Sequence, residues 1–211
     1  MILAIDGPAG VGKSTIAKRV AEKLQFIYIN SGNFYRAITF AHITSGRSRN
    51  SLEAVVATAE EIDLTLSDGR LHLSGKDIED ELHTDPVDAL VAQHSAVVEI
   101  RHLVNKTIRS LTTGLNAVIE GRDIGTVVYP DAELKVYLDA SPDVRARRRF
   151  HQGMSEKTLE ELADNIRMRD EIDRNKEEGS LKVAEDAFYL DTSLLTIEEV
   201  CERVLRKFHE S

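Results

Sequence analysis

The run Gly7-Pro8-Ala9-Gly10-Val11-Gly12-Lys13-Ser14-Thr15 constrains this chain more than any other feature. It matches Gly-x-x-x-x-Gly-Lys-Ser and stands between an apolar run, Ile2 to Ile5, and a helical pattern with Ile16, Val20 and Leu24 on one face. A strand, a glycine-rich turn and a helix whose N-terminus faces that turn make an anion cradle, because oriented backbone N–H groups and the positive end of the helix dipole share one space. Gly10 and Gly12 let the backbone close around phosphate oxygens where a Cβ would obstruct it. All nine residues are therefore expected to bind a nucleotide phosphate chain. Lys13 would reach the β- and γ-phosphates of ATP as a point charge, and the Ser14 hydroxyl would ligate a Mg2+ bridging them.

Further β-like runs follow at Phe26 to Ile29, Ala117 to Ile119, Leu134 to Leu138 and Ala187 to Leu190, with helical patterns between most of them. Such alternation predicts a parallel sheet covered by helices. The interval between the second and third runs is far longer than one crossover helix requires, so a piece is inserted there. Within it, Leu64 to Leu66 and Leu71 to Leu73 flank Ser67-Asp68-Gly69-Arg70, a hairpin signal, and Leu90, Val91, Val97, Val98, Leu103, Val104, Ile108 and Leu111 then suggest helices. The expected fold is α/β: residues 1–61 and 114–211 form a core with a five-stranded parallel sheet flanked by helices, and 62–113 form an inserted subdomain with antiparallel strands. A last helix is announced by the capping box Thr196-x-x-Glu199, ahead of Ile197, Val200, Cys201, Val204, Leu205 and Phe208 at helical spacing.

Several functional classes are disfavoured. A formal net charge of −9 opposes non-specific attraction to nucleic acid or an anionic membrane, so any anion site must be local. The lone Cys201 gives no intrachain disulfide and no thiolate cluster for zinc, and the seven histidines show no metal-ligand clustering. Met1 to Ala4 carry no basic region ahead of a long apolar stretch and the sequence has no 18-residue apolar run, which predicts neither a signal peptide nor a membrane span and places the chain by default in the cytoplasm. No surface feature forces a dimer, and a monomer is expected. A guanine-reading Asn/Thr-Lys-x-Asp element is missing, which argues against a GTPase switch.

Three more segments put arginines and small polar groups where strands should end or along a helix. They are Ser31-Gly32-Asn33-Phe34-Tyr35-Arg36, Glu120-Gly121-Arg122-Asp123-Ile124-Gly125-Thr126-Val127-Val128, and Arg169-Asp170-Glu171-Ile172-Asp173-Arg174-Asn175-Lys176. In open α/β sheets ligands bind outside the carboxyl ends of the strands, so the first two should face the same crevice as the phosphate loop. On the helix, Leu159, Leu162 and Ile166 set up an inward stripe that Arg169, Asp173 and Lys176 continue at the same spacing. An inward face that turns charged is better explained by a polar ligand than by solvation.

Together these segments resemble the bacterial cytidylate kinases, within the P-loop nucleoside monophosphate kinases. The likeness rests on Gly7 to Thr15, Ser31-Gly-x-x-Tyr35-Arg36, the Gly121 to Val128 run, Arg169 through Lys176, and Leu190-Asp191-Thr192-Ser193 before the last helix. It implies a P-loop kinase core, a monophosphate-binding insertion, a short lid at about 142–160, and Mg-dependent transfer of the ATP γ-phosphate to CMP or dCMP. It also implies that Arg36, Arg122 and Lys176 grip the acceptor phosphate, that Asp173 and Arg169 face the sugar, and that Ser31, Ser95, Arg101 and Asp123 surround the base. A carboxylate accepts from the cytosine amino group; uracil presents an acceptor there, leaving a buried Asp123 unpaired at a cost of several kcal/mol. Lys176 stands where the family has arginine, Glu120 stands where it has aspartate and would hold a metal-bound water, and the Ser95 to Arg101 spacing is shorter than the family's.

Ser141-Pro142-Asp143 is an N-cap, a proline at the first helical position and an early acid, which puts Arg145, Arg147, Arg148 and Arg149 on a helix. On the resemblance this is the lid, and Arg148 joins Lys13, Arg36 and Arg122 in neutralising the transferred phosphoryl group. Because the acceptor is already an anionic oxygen, attack is direct and in line, without a general base. Two other readings share these residues: a P-loop kinase for another small acceptor, and an ATP-binding regulatory protein.

Overall fold

The computed structural model describes residues 1–67, 69–151 and 157–210. Asp68 of the expected hairpin turn, residues 152–156 of the expected lid and Ser211 lie outside the described residues. In chain order the elements are β1 (Ile2–Asp6), α1 (Lys13–Leu24), β2 (Ile27–Asn30), α2 (Ser31–Thr44), α3 (Leu52–Glu61), β3 (Leu64–Ser67), β4 (Arg70–Leu73) and β5 (Lys76–Asp77). They continue with α4 (Asp85–His94), α5 (Val98–Thr112), β6 (Ala117–Gly121), β7 (Leu134–Asp139), α6 (Pro142–His151), α7 (Leu159–Arg174), β8 (Phe188–Asp191) and α8 (Ile197–Glu210). Short helical turns at Glu79–Glu81 and Ile124–Val128 complete the order.

Five strands form one parallel sheet in the order β2-β6-β1-β7-β8, and β3-β4-β5 form a separate antiparallel sheet. By chain contacts the molecule divides into two units, Met1–Tyr28 with Leu115–Ser211, and Ile29–Gly114; the insertion expected at 62–113 lies inside the second.

In the first unit β1 is central, running parallel to β6 on one side and β7 on the other. Its Leu3, Ala4 and Ile5 are fully buried, as a strand covered on both faces requires. Leu3 and Ile5 pack with Ile16, Ala17 and Val20 of α1, with Val136 and Leu138 of β7, and with Val200, Cys201 and Val204 of α8. Cys201 is thus a small core residue. The expected box at the start of α8 is present, with Glu199 N–H donating to Thr196 Oγ1 and Thr196 N–H to the Glu199 carboxylate. A second box, Thr158 with Glu161, starts α7.

The inward stripe expected on α7 needs correction. Leu162, Ala163, Ile166, Asp170 and Asp173 are its buried positions, whereas Leu159 is exposed. Asp170, not Arg169, is the buried residue one turn beyond Ile166, and the helix ends at Arg174, so Lys176 lies past it.

In the second unit, Leu64 to Ser67 pair antiparallel with Arg70 to Leu73, and β5 adds to β4. Val55, Leu71, Ile78, Leu82, Val87, Val91, Ile100, Val104 and Ile108 are buried. His42 and His94 are buried side by side, edge to face, with hydroxyl partners Thr58 and Thr39. Burial pushes the His94 imidazole down to about 4, so it stays neutral at ordinary pH. Among the described residues no helix is long and apolar enough to cross a membrane.

Candidate active site

The phosphate loop leaves β1 at Asp6 and enters α1 at Lys13, beside the place where strand order reverses around β1. Two glycines have physical reasons. Gly7 has φ 152°, and a Cβ there would lie 2.2 Å from the Leu138 carbonyl oxygen; Gly12, with φ 98°, sits left-handed at the N-cap of α1. Ser14 and Thr15 are exposed at the first turn of that helix, whereas Lys13 is buried.

The Lys13 ammonium donates to the carbonyls of Gly7 (2.9 Å) and Pro8 (2.8 Å), its own loop. Burial holds its pKa well below the ordinary lysine value, the nearby Arg122 guanidinium adds to this, and Glu120, Asp173 and Asp6 act in the opposite sense. Loop lysine and Arg122 therefore share one electrostatic environment.

Around them the first unit gathers further predicted residues. Arg122 Nε donates to Asp173 Oδ2 at 2.8 Å, and Lys176 Nζ donates to Asp173 Oδ1 at 2.7 Å. Glu120 is buried and accepts from the Tyr28 hydroxyl, and Asp123 is buried at the end of the β6 segment. Arg169 is partly buried on α7 and contributes to the field at Asp173. Burial by itself would raise the Asp173 pKa, but Arg122, Lys176 and Arg169 outweigh it and hold the carboxyl well below the usual carboxylate range.

That depression has a consequence for stability. A folded pKa below the unfolded value stabilises the fold above the unfolded pKa and is lost as pH falls. Asp173→Asn is therefore expected to melt below the wild type at pH 7, with the gap closing as pH drops below about 4. A gap that stays constant from neutral to strongly acid pH contradicts the ionised triad; thermal melts across pH read it.

Of the four arginines on α6, two are engaged with backbone carbonyls of the phosphate loop. Arg145 is fully buried, donating to the carbonyls of Ala9 (2.9 Å) and Ala140 (2.8 Å) and to Asp170 Oδ2 (2.7 Å). Arg148 donates to Thr192, through its hydroxyl (3.0 Å) and carbonyl (2.5 Å), and more distantly to the Val11 carbonyl (3.4 Å). Arg147 is exposed and Arg149 partly so.

In the second unit, Arg36 is buried on α2 and holds the Leu82 carbonyl (2.9 Å) and Asp88 (2.7 Å). Arg101 is buried on α5, donates to the Ser95 carbonyl at 3.0 Å and lies over the Tyr35 ring, 5.6 Å from its centroid. Ser95 and Arg101 are thus neighbours through the Ser95 backbone, while the Ser95 hydroxyl donates to the Ala92 carbonyl. Ser31 is buried at the first position of α2.

Sequence reasoning passed over Asp6, Tyr28, Asp88 and Asp170. Asp6 carried the clearest signal, an acid closing an otherwise apolar strand. Its carboxylate accepts from the backbone N–H groups of Ile124 (2.9 Å) and Gly125 (2.7 Å). Burial pushes its carboxyl up to about 6 against those two hydrogen bonds, with Asp123 raising it further and Lys13 lowering it. Tyr28, Asp88 and Asp170 become visible only when distant segments meet.

A parallel five-stranded sheet whose central strand runs through a glycine loop into a helix, with a buried lysine at the turn, defines a P-loop kinase core. Shikimate kinase from Bacteroides thetaiotaomicron shares this fold, with a TM-score of 0.53 at 18% identity over 100% of this chain and 99% of that one. A family model described as cytidylate kinase matches residues 3–210, and on that match the chain belongs to the cytidylate kinase family. Cytidylate kinase 1 of Borreliella afzelii is 40% identical over 99% of this chain and 97% of its own. Cytidylate kinase of Clostridioides difficile is 40% identical over 99% and 98%, and that of Caldanaerobacter subterraneus is 41% identical over 96% and 92%.

Proposed function

We propose that this chain transfers the γ-phosphoryl group of ATP to CMP or dCMP, giving ADP and CDP or dCDP. The observation that carries the reading is the buried charge set of the first unit, in which Lys13 lies on the Gly7 and Pro8 carbonyls of the phosphate loop and Arg122 and Lys176 share the Asp173 carboxylate. Donor-side and acceptor-side cations in one desolvated environment suit phosphoryl transfer, whose catalysis is positioning plus stabilisation of charge.

A phosphate oxygen of the acceptor attacks the γ-phosphorus, the bond to the β–γ bridging oxygen breaks, and the electron pair leaves with ADP. Lys13 would trade its two loop carbonyls for β- and γ-phosphate oxygens. Arg122, Lys176 and Arg36 would hold the acceptor phosphate, Asp173 and Arg169 the sugar, and Ser31, Ser95, Arg101 and Asp123 the base. Arg148 would add charge on the donor side. The donor set fits Mg2+: an exposed Ser14 hydroxyl at the loop and a buried Glu120 carboxylate oriented by Tyr28 offer the hard oxygens it prefers. When bound, the ion neutralises phosphate charge. Residues 62–113 serve in this reading as the monophosphate-binding insertion and residues of about 142–160 as the lid, in a cytoplasmic monomer without nucleic-acid or membrane partners.

ADP release with Mg-ATP and each of CMP, dCMP, UMP, AMP and dTMP tests the assignment. A response confined to CMP and dCMP is expected. A flat response across all five, with ATP still bound, overturns it.

A further inference from the structure

Arg122 and Asp123 hang between two fixed points. On the near side, Gly121 is held in the sheet, in register with Asp6 of β1. On the far side, the N–H groups of Ile124 and Gly125 are held by the carboxylate of the same Asp6, at 2.9 and 2.7 Å. These are the leading N–H groups of the short turn Ile124–Val128, which Asp123 leaves without a side-chain cap, so a carboxylate from another strand supplies what the turn's own N-cap does not. Gly125 is pressed from the opposite side, since a Cβ there would come within 3.1 to 3.3 Å of the Lys135 side-chain carbons. The residue after Asp6 is Gly7, the first of the phosphate loop.

We propose that Asp6 is a positioning residue for the transfer: one buried carboxylate sets the Arg122-Asp123 segment relative to the phosphate loop that begins beside it. The inference rests on the reading of Arg122 and Asp123 as acceptor residues. Asp6 touches neither nucleotide; it fixes the backbone that carries the groups that do. Two separate oxygens, each accepting one N–H, make the carboxylate the required group. Asparagine supplies one carbonyl oxygen and turns an NH2 group toward an amide N–H, so one of the two anchors is lost and repelled. A displacement of about 1 Å in reacting groups costs on the order of 10²-fold in rate.

The test is Asp6→Asn compared with wild type in kcat and KM for CMP, in ATP affinity measured without CMP, and in hydrogen exchange of the 121–128 backbone. The expected result is a fall of about 10²-fold in kcat/KM for CMP, with kcat lowered as well as KM raised, ATP affinity within about twofold and exchange accelerated locally at 121–128. Wild-type kinetics for CMP, or equal losses in ATP and CMP affinity with exchange accelerated throughout the first unit, overturns the inference. Asp6→Glu keeps the charge and moves it by one methylene. It is expected to give the same split at smaller amplitude, and it decides the matter should Asp6→Asn not fold. Were the wild type inert toward CMP, the proposed function would fail, while local exchange at 121–128 in the variants would still read the anchoring by Asp6.

Discussion

Replacing Lys13 with alanine is expected to lower turnover by about 10² to 10³-fold, while the affinity for CMP changes by no more than about threefold. The asymmetry follows from where the ammonium sits. It is turned inward on the Gly7 and Pro8 carbonyls, buried, with Arg122 adding to the cost of its charge. Phosphate oxygens offer it full negative charge in place of carbonyl dipoles, and the interaction grows as charge builds on the β–γ bridge during transfer. In the proposed reading acceptor binding uses other cations, among them Arg122, which pairs with Asp173, and these are expected to stay in place when Lys13 is removed. Steady-state rates with calorimetric CMP binding separate the two; equal losses in both would remove Lys13 from the donor side of the transfer.

The largest expected effect on stability belongs to Arg145. Its side chain and that of Asp170 are each more than nine-tenths buried, and Asp170 Oδ1 has no hydrogen-bond partner among the described residues. Arg145→Ala therefore leaves an uncompensated carboxylate inside α7 and frees the carbonyls of Ala9 and Ala140. Breaking a buried pair in this way costs about 3–5 kcal/mol, or on the order of 10 °C in melting temperature for a chain of this length. Removing both charges together, as Arg145→Met with Asp170→Leu, is expected to recover most of that stability, because a well-packed apolar pair is spared the desolvation of two ions. Turnover need not recover with it, since the anchor on Ala9 is still lost. A single variant as stable as wild type would show that the pair carries no such weight.

The core was legible from sequence because its rules are local. A buried central strand reads as an unbroken apolar run, a glycine-rich turn before a helix declares its own geometry, and Thr196 with Glu199 announces a cap within four residues. The site was legible only in part. Arg122, Asp123 and Asp173 stand in segments whose charge conflicts with their inward placement, and that conflict is visible in one dimension. Their partners are not: Asp6 meets Ile124 and Gly125 across more than half the chain, and Tyr28 meets Glu120 across the whole second unit. The α6 arginines show the same boundary. Sequence placed them on a helix, but only packing shows that Arg145 is committed to Asp170 and the loop backbone while Arg147 faces solvent. Likewise the periodicity that put Leu159 on the inward stripe could not tell that it is exposed and that Ala163 and Asp170 are buried in the stripe.

The most direct measurement is phosphorus NMR of the wild-type protein with Mg-ATP and CMP. The ATP signals are expected to decline while ADP and CDP signals grow together in equal amounts, with no inorganic phosphate formed in step, and omitting CMP is expected to leave ATP intact. Phosphate appearing in place of CDP, or ATP unchanged beside CMP, would contradict direct transfer between the two nucleotides.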